Sequence, residues 1–167
     1  MSTQSQQEPE APEYALSRKL IADLGGDALL GPLVYEHPWE KLAQCQALAV
    51  AASSRSVCIA VSPQLPEPVS DPAGQKAGML DARLAVLVLF QRNVPGKGIG
   101  ERVAGLNYAL LNYLLRWDPS QTGIPYTEPR VTSVAPLVAA DYKEFAEMSG
   151  IVLGVSISYN YKKAIRP

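Results

Sequence analysis

The apolar positions along the chain change period several times, and each change marks a predicted element. Leu16, Leu20, Ile21 and Leu24 recur at helical spacing. They give residues 14–24 one apolar helical face, with Gly25-Gly26 expected to stop the helix in a left-handed turn. Residues 38–52 begin on a proline suited to a first helical turn and carry Trp39, Leu42, Ala43 and Leu48. This predicts a second helix, although 47–52 could equally lead into a strand. Residues 56–62 are apolar and β-branched and read as a strand, closed by Pro63, Pro66 and Pro68. With four prolines and two glycines, residues 63–78 then read as a long loop within the domain.

The second half is patterned more sharply. Leu80, Ala82, Leu84, Val86, Val88 and Phe90 alternate onto one face of a strand over 80–92. On its other face Asp81 and Arg83 give way to Leu87 and Leu89, so the far end of the strand should be covered on both sides. A glycine-containing connection, 93–100, leads into a helix over 99–117 whose apolar stripe is Val103, Leu106, Leu110, Tyr113, Leu114 and Trp117. Asp118-Pro119 ends that helix. A polar loop over 120–129 precedes a strand at 130–138, in which Pro136 suggests a sheet edge or bulge. Residues 141–149 suggest a short helical turn. In 151–161, Ile151, Leu153, Val155, Ile157, Tyr159 and Tyr161 alternate with smaller or polar residues. This is a strand with one buried and one polar face.

The order of elements predicts an α+β fold: about four mostly antiparallel strands packed against one long amphipathic helix, with one or two N-terminal helices. A chain of 167 residues accommodates a single domain, placed at 14–162. A disordered tail, 1–13, is expected before it and a short tail, 163–167, after it. The start is polar and acidic and lacks the pattern of a secretory signal. No apolar run reaches the roughly 18 to 20 residues of a membrane-spanning helix.

Composition adds mainly exclusions. Fifteen basic against sixteen acidic residues leave a net charge of −1, with no overall footprint for sequence-specific nucleic acid. Lys162, Lys163 and Arg166 beside Tyr159 and Tyr161 read as a solvated end after an edge strand. Cys45 and Cys58 have no partners at metal-ligand spacing and read as buried small residues in a reducing setting. His37 is the only histidine and sits in a turn-like Tyr-Glu-His-Pro-Trp context, without a marked nucleophile or acid. Asp141, Glu144 and Glu147 share one helical face, read as solvated. The run Pro95-Gly96-Lys97-Gly98-Ile99-Gly100-Glu101 invites comparison with a phosphate loop. It lacks the Gly-Lys-Ser/Thr ending, and Glu101 would repel an anion in the first turn. No catalytic, cofactor or metal site is expected, and the chain does not read as an enzyme.

Residues 80–162 resemble the tail terminator and tail-completion proteins of tailed bacteriophages and related contractile, bacteriocin-like particles. The resemblance lies in the order of parts: a long strand and a glycine-containing loop, then a helix ending in Leu-Leu-Arg-Trp-Asp-Pro at Leu114 to Pro119, then a polar loop, a strand, a short acidic stretch and a final alternating strand ending in Tyr-Asn-Tyr at Tyr159 to Tyr161. It covers about half the chain, and residues 63–78 have no counterpart in it. It implies a homo-oligomeric ring, a hexamer, in the virion tail, assembled in the host cytoplasm. Such a ring caps the tail tube, stops its growth and meets a neck or head-completion protein, with sheath as a further neighbour. The alternatives are a neck or head-completion protein, or a small anion-binding domain using Lys97. Under the ring reading, Leu87, Leu89, Asn93, Lys97 and Ile99 would lie at or near a subunit interface.

Overall fold

A computed structural model describes residues 10–40, 57–69, 78–91, 99–120, 126–136 and 148–160. The fold is α+β: a four-stranded antiparallel sheet and two helices. The elements run α1 (Pro12–Gly25), a single 3₁₀ turn (Gly31–Leu33), β1 (Val57–Pro68), β2 (Met79–Gln91), α2 (Ile99–Arg116), β3 (Arg130–Pro136) and β4 (Met148–Asn160). The strand order across the sheet is β1-β2-β4-β3. β2 and β4 are therefore central, and β1 and β3 form the two edges.

Helix α1 begins earlier than its apolar spacing suggests. Pro12 occupies the first turn, where its missing N–H costs nothing, and Glu13 follows at the positive end of the helix dipole. Glu13 is buried, so residues 12 and 13, expected to be disordered, belong to the folded domain. Residues 1–9 and 161–167 lie outside the described residues. The expected left-handed stop is also absent: Gly26 has φ −82° and ψ −10°, and the last turn tightens instead through Gly26 N–H to Asp23 O and Asp27 N–H to Leu24 O. Asp27 Oδ1 then accepts the N–H groups of Leu29 and Leu30, both at 2.9 Å, which turns the chain into the 3₁₀ segment.

Residues 38–40 are not helical. Tyr35 N–H and Trp39 N–H donate to Ile59 O and Val61 O, both at 2.7 Å, so the segment from Val34 to Trp39 lies along the outer side of β1. The remainder of the predicted second helix lies outside the described residues.

The largest departure from expectation is in β1. The strand continues through Pro63, Pro66 and Pro68, where a loop was expected, and pairs with β2 down to Pro68↔Leu80. Ile59 and Val61 direct their carbonyls away from β2, so Pro63, two residues further on, does too. A bulge between Gln64 and Glu67 reverses the alternation. Val69 N–H bonds to Met79 O on β2, which leaves Pro66 and Pro68 facing outward. All three prolines thus sit where the missing N–H faces the open edge and breaks no ladder bond.

β2 pairs with β4 from Met79↔Asn160 to Gln91↔Met148. Gly78, at φ 84°, supplies the left-handed residue that starts β2. β4 begins at Met148, so Ser149, expected in a helical turn, is strand; residues 137–147 lie outside the described residues. Both helices cover one face of the sheet. Val57, Ile59 and Val61 of β1, Ala82 to Val88 of β2 and Leu153 to Tyr159 of β4 alternate onto that face. They meet Leu16, Leu20 and Leu24 of α1 and Leu106, Leu110 and Leu114 of α2.

Candidate functional site

The face of the sheet away from the helices is divided. At one end Cys58, Ala60, Leu87 and Leu89 form a second apolar patch, each 2% exposed or less. Leu87 and Leu89 are thus covered within a single chain, as the two-sided apolar strand end predicts. Their burial needs no second subunit. Of the other suggested interface residues, Asn93 and Lys97 lie outside the described residues, and Ile99 opens α2.

At the other end the same face is polar, and its serines are buried, not solvated as the alternation alone suggests. Asp81 accepts Arg130 Nη2 at 3.2 and 3.3 Å and also accepts the Ser158 hydroxyl. The Thr127 hydroxyl accepts Ser158 N–H at 3.0 Å, and Arg83 pairs with Glu67 across β2 and β1. Each charge in this network has an opposite partner, an arrangement that ties strands together.

A groove of about 470 Å³ between α1 and α2 is also lined with charges, among them Lys19, Asp23, Asp27, Arg116 and Asp118. Partial burial works against the charged form of Asp23. Lys19 Nζ and Trp117 Nε1, each donating to Oδ2 at 2.8 Å, outweigh it and hold the carboxyl below its ordinary value. Burial, with the charges of Asp23 and Asp27, pushes the Tyr113 hydroxyl up. The groove is a polar strut between the helices.

Beneath the start of α1, the Tyr159 hydroxyl donates to Glu13 Oε1 at 3.3 Å, and the Tyr126 and Tyr159 rings lie 6.0 Å apart. Burial, followed by the Glu13 charge, raises Tyr126 to about 12; the same causes raise Tyr159 further.

Among the described residues, no cluster of three or more His, Cys, Asp or Glu side chains could hold a metal ion. His37 is exposed and stands edge-on to the Tyr35 ring, at 6.0 Å between centroids. Cys58 is fully buried. Cys45, the lysine of the glycine run, the acidic face at 141–147 and the basic C-terminus lie outside the described residues.

Unpartnered apolar surface stands out instead. Ala104, Tyr108 and Leu115 are exposed and form a second stripe on α2, with half-buried Leu111, which packs against the core, between the last two. Tyr108 is 69% and Leu115 62% exposed. α2 packs against β3, where Val134, cross-strand from Leu153 on the helix side of the sheet, is 53% exposed. The stripe ends at a groove of about 530 Å³ that Leu115 shares with Tyr126 and Pro129. At the opposite edge Leu65, between the β1 prolines, is 85% exposed. The spacing of the second stripe is visible in the sequence, but the stronger core stripe on the same helix masks it. Leu65 was hidden by assigning its segment to a loop.

No helix among the described residues is long and apolar enough to cross a membrane. No protein-family model matches the chain, and no curated protein matches it.

Proposed function

We propose that this chain is a structural assembly protein of the tail-terminator type and not an enzyme. It forms a homo-oligomeric ring, a hexamer, on the end of a tail tube, stops tube growth and presents a surface to a neck or head-completion protein and to sheath. One long amphipathic helix, α2, packs against the sheet of each subunit beside α1. The observation that supports this reading is the apolar surface left open at two opposite edges of a domain in which Lys19 and Asp23, Arg83 and Glu67, and Arg130 and Asp81 pair with each other. Surface of this kind stabilises a protein only when another protein covers it.

The test is light scattering on the purified full chain, followed by sedimentation with assembled tail tubes. Ring-sized particles that pellet with tubes are the expected result. A monomer at every concentration that pellets with no tube overturns the proposal. Binding to portal rings in place of tubes would reassign the chain to head completion.

A further inference from the structure

We infer that the proline-bearing end of β1, Pro63 to Pro68, is an arm that docks onto the outer stripe of α2 in a second copy of this chain. The inference rests on the assembly reading above and identifies the contact that would build the ring.

Four observations lead to it. First, the arm is an edge that cannot extend a sheet. Three of its outward positions are prolines, so Leu65 alone offers an outward N–H there. A segment with almost no free N–H donors can lie against apolar side chains with only its outward carbonyls left for water or side-chain donors to satisfy. Leu65, 85% exposed, is its apolar anchor.

Second, the stripe matches the arm in length. Ala104 to Leu115 rises about 16 Å along a helix, and Pro63 to Pro68 spans about 16 Å as a strand. An exposed tyrosine, Tyr108, lies within the stripe, and aromatic rings are good surfaces for proline.

Third, the arm cannot reach the stripe of its own chain. Glu67 and Pro68 are held on β2 by pairing with Asp81 and Leu80, whereas α2 packs against β3 at the other edge, three strand spacings or about 14 Å away. The occupant is therefore another molecule. Two different surfaces at opposite edges of one protein make a head-to-tail contact, the kind that closes into rings.

Fourth, the charges are compatible. The arm's carboxylate, Glu67, is already paired with Arg83 and so opposes nothing on α2, where Arg102 and Arg116 stand against Glu101.

The experiment uses Leu65→Asp and Leu115→Asp, both at exposed positions, with circular dichroism to verify folding and light scattering to read mass. Each variant alone should be monomeric under conditions where the wild-type chain assembles. Mixed in equal amounts they should form a species of two chains and no larger, because one variant retains an intact stripe and the other an intact arm. If wild-type rings form and bind tubes but Leu65→Asp leaves their mass unchanged, the arm contact is wrong and the assembly reading stands. If both variants lose assembly but the mixture stays monomeric, the head-to-tail pairing is wrong. A wild-type chain that never assembles overturns both.

Discussion

At the scale of single residues, several charged side chains hold elements together. Asp23 is the clearest case, because it receives hydrogen bonds from Lys19 on its own helix and from Trp117 just past the end of α2. Its carboxyl lies below the ordinary value of 3.8 in the folded protein. The contribution it makes to stability is therefore complete above that value and is lost as pH falls through the lower, folded one. Asp23→Asn should weaken the protein at neutral pH. It should also flatten the acid limb of stability below about 3.8, since asparagine has no proton to gain. Urea midpoints measured from neutral to strongly acidic pH check this, and parallel acid limbs for both proteins would exclude the role.

The elements show how packing selects residues that propensity alone would not. β3 has little burial of its own and bonds to β4 across a bulge between Val131 and Ser133. Opposite the bulge lies Gly154, where an added Cβ would stand 2.4 Å from Ser133 Oγ and 3.1 Å from Thr132 Oγ1. Gly154→Ala should destabilise the protein by about 1 to 2 kcal/mol, as overpacking does. Adding Ser133→Ala should recover most of that loss, because the Ser133 Cβ is at an ordinary 3.6 Å. Denaturant titration of the single and double variants reads both values, and additive losses would show that the clash is not the cause.

Elements with a clean period were legible in the sequence: the alternation in β2 and β4 and the core stripes of α1 and α2 all lie on the buried faces they predict. β1 was legible only to Ser62. A proline is a strand breaker on average, and its compatibility with a strand depends on which way its nitrogen faces. That direction is fixed by pairing with β2 and by the bulge, neither of which is local. The glycine stop of α1 failed for a related reason: Asp27 recaptures the chain after the helix, so no left-handed residue is needed. The apolar edges escaped notice because a period reports which residues share a face, not whether anything covers it.

At the scale of the whole molecule, an open-edged sheet has to avoid unwanted association while permitting the wanted one. A net charge of −1 supplies almost no mutual repulsion, so protection has to be built into the edges themselves. On β3 it takes the form of the bulge and Pro136; on β1, of the three prolines whose missing donors face solvent. Replacing Pro63, Pro66 and Pro68 together by threonine would restore three outward N–H groups and raise strand propensity beside an exposed leucine. The variant should aggregate with rising concentration into thioflavin-binding material, whereas the natural chain stays in solution. Loss of proline also enlarges the unfolded ensemble and by itself costs about 0.4 to 1 kcal/mol per site. A urea midpoint separates that effect from the edge. A variant that unfolds earlier but remains dispersed at high concentration would mean that the prolines stiffen the arm and do not guard it.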